Sequence, residues 1–272
     1  MNHEHMGRLG QIKLYTATCF HLYKNEKQWK NFISTAIITI LICMVTGSEM
    51  FTDFSATRTG GFAIICACIW TGLFNSIQSI CKERPIIKRE HRVGMHISSY
   101  VIAHVVYELF LCAVEALIIL VIVCIRNASH LPPEGLVTFM LLDVYITLLL
   151  SLFTADMLAL LVSCIVTTEN MAMTIMPFVL IVQLVMSGVI FSLSGLTEWI
   201  SKITVSRWGL NALLSIADTD TMMNAYYIYS GLDGCDATAG NLLFNWMLLL
   251  VFALVYALIG ILILERVDKD AR

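Results

Sequence analysis

Charge is what this chain has least of. Only 14% of its 272 residues are Asp, Glu, Lys or Arg, against about 25% in soluble proteins. Apolar residues make up 58% and mean hydropathy is +0.80. That balance excludes a water-soluble globular domain. Other absences narrow the function. The chain has no G-x-x-x-x-G-K-[ST] phosphate loop, so it is not expected to hydrolyse a nucleotide itself. It has no His-Glu-x-x-His, Gly-x-Gly-Asp or Gly-x-Ser-x-Gly motif and its seven histidines are scattered, so no catalytic residue, metal ligand or cofactor-binding residue is assigned. An intramembrane enzyme is thereby a third choice. The net charge of -3 comes without a basic soluble face, and nucleic acid is not an expected partner. Internal repeats and low-complexity tracts are missing. A cleavable signal peptide is not expected either, because the first apolar run begins only at Phe32.

What the chain does have is long apolar runs. A helix needs about 20 mostly apolar residues to cross a hydrocarbon core of roughly 30 Å. Runs 32–51, 60–81, 95–125, 136–166, 171–193 and 241–264 meet that test approximately. The expected fold is therefore an all-α membrane protein with six transmembrane helices. As a single helix, run 136–166 would measure roughly 46 Å, so it must tilt or protrude. It also carries Asp143 and Asp156.

Basic residues give an independent orientation. Arg8, Lys13, Lys24, Lys27, Lys30, Lys82, Arg84, Lys88, Arg89, Arg92, Arg266, Lys269 and Arg272 all fall on one side of such a bundle. Only Arg58, Arg126, Lys202 and Arg207 fall on the other. Because Lys and Arg in short loops stay inside, both termini are expected in the cytoplasm, with the protein in the plasma (inner) membrane and residues 267–272 as a cytoplasmic tail.

Residues 1–31 read as a tail followed by an amphipathic helix in the inner interface, since Leu14, Tyr15, Phe20, Leu22 and Tyr23 interleave with Lys13 and His21. The domain proper is expected over 32–266. Between the fifth and sixth spans, residues 196–217 are half apolar and suit a re-entrant segment dipping into the outer leaflet, and 218–240 suit an external loop. Of nine cysteines only Cys235 lies in an outer loop. A free thiol is the preferred reading there over a disulfide to a second copy.

Residues 82–94 concentrate five basic side chains between two apolar runs. Pro85 suits a first helical turn, Gly94 a left-handed cap, and Lys88, Arg89 and Arg92 the negative end of a helix dipole. A short helix over about 85–93 is expected. It is too short to be stable alone in water, and Ile86, Ile87 and Val93, ringed by charge, suit a cleft in a soluble partner. The plainer alternative is a positive-inside loop.

In the third span His104, Glu108 and Glu115 are spaced to share one helical face. Charge at such depth costs about 2.5–3.5 kcal/mol on insertion scales, so these residues read either as a polar relay or as paired structural groups. The structural reading is preferred for Asp143, Asp156 and His104, while Glu108 is open.

Glu83-Arg84-Pro85, then Arg89-Glu90, Gly94-Met95, Tyr100 and Glu108-Leu109 resemble the pattern E-R-P-x-x-x-R-E-x-x-x-G-M…Y…E-L of the G-subfamily-like (type-2) membrane domain of ATP-binding cassette (ABC) transporters. Residues 187–193, 199–201 and 207–213 look like that family's fifth span and re-entrant outer segment. The resemblance implies a permease, with Glu83, Arg84, Pro85, Lys88, Arg89, Glu90 and Gly94 in a coupling helix that docks on a nucleotide-binding (ATPase) subunit. ATP and Mg are expected on that partner and no cofactor in this chain. It further implies a second permease copy, a span-bridging Glu at the position of Glu108 (which with Glu115 forms the relay read from spacing), Val189 and Ile190 as an apolar gate, and a substrate path past Trp70, Phe74, Asn75, Gln183 and Met186. The stretch 199–207 is a few residues shorter than in eukaryotic multidrug members, and the outer loop has one cysteine, which favours a bacterial member. The expected function is an ATP-driven exporter of amphipathic, lipid-like or small peptide cargo. The competing class is a proton-coupled carrier using Glu108 and Glu115, against which stands the lack of matching half-repeats.

Overall fold

The computed structural model describes residues 7–25, 29–46, 50–128, 135–191, 193–219, 222 and 235–266. Part of the expected external loop, 220–221 and 223–234, and the tail 267–272 lie outside them. Among the described residues the regular structure is entirely helical. We number the helices α1 (Arg8–Asn25), α2 (Lys30–Thr46), α3 (Phe54–Ser76), α4 (Ser79–Arg92), α5 (Ile97–Arg126), α6 (Met140–Ile165), α7 (Glu169–Val185), α8 (Leu196–Ser201), α9 (Val205–Ile216) and α10 (Ala239–Leu264).

Among the described residues four segments are long and apolar enough to cross a membrane: Phe54–Arg92, Ile97–Arg126, Met140–Ile165 and Ala239–Leu264. A fifth exists if α1 and α2, bent by 72°, count as one span. Taken singly, α2 and α7 have 17 residues each, about 26 Å at 1.5 Å per residue, just short of the hydrocarbon core. The expected fifth run to residue 193 is cut because α7 stops at Val185 and the chain turns through Gly188 at φ 80. The fourth run is shortened at its start for a chemical reason. Asp143, fully buried, accepts hydrogen bonds from the backbone N–H groups of Leu136, Val137 and Thr138 and from the Thr138 hydroxyl. That cradle folds 136–138 back over the helix start, so the helix begins only at Met140.

The bundle is built around α6, which packs against α3, α5, α9 and α10. Gly72 sets the α3–α6 approach: a Cβ there would lie 2.5 Å from the Leu152 carbonyl oxygen and 3.0 Å from the Asp156 nitrogen. Small residues that let backbones touch are how membrane helices associate without a hydrophobic drive. On the opposite side Trp246 Nε1 of α10 donates to Thr147 Oγ1 at 2.8 Å, and Thr154 Oγ1 donates to the Leu249 carbonyl. Helix α9 is buried almost all round and too short to span, so it sits inside the bundle among α3, α6 and α10. Helix α1 lies along α5.

Candidate functional site

Two features concentrate the polar chemistry: the charged helix α4, and a set of buried polar groups on α3, α5 and α6. That helix starts at Ser79, six residues before Pro85, so Pro85 lies inside the helix rather than in its first turn. The early start follows from tertiary contact. Ser163 Oγ of α6 accepts the N–H groups of Ile80 and Cys81 at 3.0 and 3.1 Å, satisfying donors that a helix start leaves open. Only one turn, at Ile77 and Gln78, separates α4 from α3. At the other end Gly94 has φ 112, its N–H donates to the His91 carbonyl, and Met95 N–H donates to the Glu90 carbonyl. This paired closure is a glycine cap.

The charged residues of α4 divide by helical face. Arg84 is 8% exposed and its guanidinium Nη1 donates to the carbonyls of Cys164 and Val166, capping the end of α6. Glu83 accepts from the Tyr100 hydroxyl and lies 4.0 Å from His104 Nε2. Glu90 accepts from the Tyr15 hydroxyl of α1 at 2.7 Å. Burial, helped by the Glu90 carboxylate, pushes the Tyr15 phenol well above its ordinary range. Gln11 adds a second tie from α1, donating to the Gly94 carbonyl and accepting from His96 N–H. Glu83, Arg84 and Glu90, expected on the partner-facing helix, thus hold α4 to its own bundle.

The outward face carries Lys82, Pro85, Ile86, Arg89, Arg92 and Val93, at the i, i+3, i+4, i+7 spacing of one helical stripe. Lys88 is half-buried at its edge. Ile86 and Val93 are exposed, whereas Ile87 is buried against the core, a correction to the expected apolar set. Beside this stripe a groove of about 870 Å³ runs between α4 and the start of α7, lined by Lys82, Pro85, Lys88, Thr168 and Glu169 among others.

Inside the bundle the expected relay residues part company. Glu108 of α5 and Asp156 of α6, both buried, meet beside Ser76 of α3. Ser76 lies within hydrogen-bonding reach of both carboxyls, and Cys112 within reach of Asp156. Glu115, one turn pair further along α5, faces another way: its Oε2 accepts from Asn75 Nδ2 at 2.7 Å and its Oε1 lies 3.5 Å from Thr35 Oγ1. His104 sits at the α4 end of α5, 3.9 Å from Cys19 Sγ. Burial near Glu83 and Glu108 pushes the Cys19 thiol up to about 12. Among the described residues no group of three or more His, Cys, Asp or Glu is placed to hold a metal.

The expected path residues are also split. Trp70, Phe74 and Asn75 line one cleft with Glu115. Gln183 does not join them. It is 5% exposed, and its Oε1 accepts the N–H groups of Val205 and Ser206, capping α9 from across the fold, while its carbonyl accepts from the Ser206 hydroxyl. Met186 ends α7. Val189 and Ile190 fall in the turns after Gly188 rather than on a helix; Val189 packs against Leu210, Leu214 and the buried Cys235, and Ile190 is exposed. The Cys235 thiol is buried, and its Sγ lies 3.6 Å from Asn211 Oδ1. The roles of Arg84, Asp143 and Gln183 escaped the sequence reading. A lone Gln in an apolar run was the one signal for the last of these.

The sequence profile of the ABC-2 type transporter family matches residues 11–217. That is well over half of the chain, which therefore belongs to this family. The membrane domain of the family is the permease component of an ABC transporter and is not itself an ATPase; it normally works with an ATP-binding subunit. With its apolar helices the chain is a multi-pass integral membrane protein. An ABC transporter ATP-binding/permease protein of Mycobacterium tuberculosis is 27% identical to it over 154 residues, covering 55% of this chain and 18% of that protein. The chain thus spans less than a fifth of that relative's length.

Proposed function

We propose that the chain is the membrane half of an ATP-driven exporter, coupled through α4 to an ATP-binding subunit that lies outside these 272 residues. The observation that carries this reading is the outward stripe of α4, where basic and apolar side chains alternate on a helix whose other face is fixed to α1, α5 and α6. A helix held this way passes a push on its exposed face directly to the bundle. In this reading the layout is six spans, α2, α3, α5, α6, α7 and α10, with α8 and α9 as the re-entrant segment and both termini cytoplasmic. Two copies form the working unit. Helix α7 supports that, because it buries only Ala172, Met176, Leu180 and Gln183 and leaves Phe178, Ile181 and Val182 exposed. In this reading Val189 and Ile190, in the turns that follow α7, close the path between the two copies. ATP and Mg belong to the ATP-binding subunit.

The stripe is tested by Ile86→Asp combined with Arg89→Glu in the co-expressed complex. Co-purification of the ATP-binding subunit should fall by about 30-fold, the loss of a central contact residue of about 2 kcal/mol, while membrane insertion and thermal unfolding of the chain stay unchanged. Undiminished co-purification would remove α4 as the docking element.

A further inference from the structure

We propose that the cleft between α2, α3 and α5 is a binding site for an organic ammonium group carried on an apolar body, with Glu115 as its anionic anchor. This rests on the permease reading and names the class of cargo. The cleft has a volume of about 390 Å³ and lies in the half of the bundle that carries α1 and α4, lined by Ser34, Thr35, Trp70, Phe74, Asn75 and Glu115. It is shared by three helices of one copy, so it is complete without a partner.

Its chemistry is asymmetric. Glu115 is 1% exposed on its own chain and receives only neutral donors, Asn75 at 2.7 Å and Thr35 at 3.5 Å. No Lys, Arg or His among the described residues forms an ion pair with it. A carboxyl group at such depth is costly unless something neutralises it, and here that must enter by the cleft, as a proton or as a cation. Asn75 and Thr35 fix the carboxyl geometry without cancelling its charge. An incoming N–H donor then meets acceptors aimed into the cleft.

The wall opposite is aromatic. Trp70 and Phe74 lie one turn apart on α3, their rings stacked with centroids 5.2 Å apart and planes at 28°, and they are 41% and 44% exposed. Aromatic faces attract an ammonium electrostatically and also cover an apolar body. A buried acid on one side and exposed rings on the other fit an amphipathic amine better than a neutral lipid, which brings no charge and leaves a proton alone to neutralise Glu115. An anion would be repelled.

The full chain in phosphatidylglycerol nanodiscs, without any ATP-binding subunit, is tested by equilibrium dialysis against naphthylethylammonium, naphthylethanol and naphthylacetate, which share one ring and differ in charge. Empty nanodiscs provide the blank. Saturable binding of the ammonium probe, at least about tenfold tighter than the other two, is expected, with a loss of about tenfold in Glu115→Gln, retention in Glu115→Asp, and weakening in Trp70→Ala and Phe74→Ala. Should Glu115→Gln fail to fold, the two aromatic variants at exposed positions carry the test. Adding phosphatidylethanolamine distinguishes the source: displacement of the probe marks a lipid headgroup as the occupant, and no displacement marks a free amine, both being ammonium ligands. Equal binding of all three probes, or full affinity in folded Glu115→Gln together with the aromatic variants, overturns the assignment. Failure of α4 coupling would leave these results untouched, so the two readings fail separately.

Discussion

Arg84 and Arg89 are five residues apart on one helix and belong to the same motif, yet they do different work. Arg84 is turned inward onto the carbonyls of Cys164 and Val166, where α6 runs out of intrahelical donors. Arg89 points away from the bundle. Arg84→Ala should therefore destabilise the isolated chain by about 1.5–3 kcal/mol, the range for hydrogen bonds to a charged group. Arg89→Ala should leave stability within about 0.5 kcal/mol, as surface changes do. Thermal unfolding of the detergent-solubilised chain measures both, and equal effects would contradict the division of faces. The motif 83–95 was legible in the sequence because residue type and order carry it. Which side each charge takes was not, since that depends on where α6 and α1 lie. Asp143 and Gln183 were opaque for the same reason: one caps a turn that precedes its own helix, the other a helix 22 residues further on.

At the scale of elements, apolar runs and glycines placed the helices, and tertiary contacts set their ends. The start of α4 is supplied by Ser163, whose hydroxyl is more than 80 residues away from Ile80 and Cys81 in the chain. No local signal announces that, and Pro85 read locally pointed to the wrong turn. Gly94 was readable because a left-handed residue before an apolar run demands glycine. The α3–α6 crossing rests on Gly72. Gly72→Val would place side-chain atoms against the Leu152 carbonyl, and we expect at least about 1–3 kcal/mol of destabilisation, the usual penalty of overpacking. A matched change at Gly240, where an added Cβ meets nothing within 4 Å, should be close to neutral. Comparable unfolding temperatures for the two variants would contradict the close crossing.

For the whole molecule, scarcity of charge identified a membrane protein, and the charged cluster of α4 that breaks the rule is the face proposed for coupling. The bundle joins two parts: α4, clamped by α1, α5 and α6, and the polar groups of α3 and α5 one to several turns deeper. Displacing α4 must move α3, because only Ile77 and Gln78 separate them. The cleft holding Glu115 lies between α2, α3 and α5, so in the proposed coupling a push on α4 reaches it through α3. What the sequence could not convey is that this cleft excludes Gln183 and Met186, because helices of similar composition give no sign of which faces meet.

In the proposed mechanism energy enters through α4 from an ATP-binding subunit, and ATP turnover in proteoliposomes reads that coupling most directly. With the intact chain the subunit should hydrolyse ATP at least about tenfold faster than with the Ile86→Asp, Arg89→Glu chain, and an imposed proton gradient without ATP should drive no transport. Equal hydrolysis with both chains, or transport sustained by the proton gradient alone, would contradict the account.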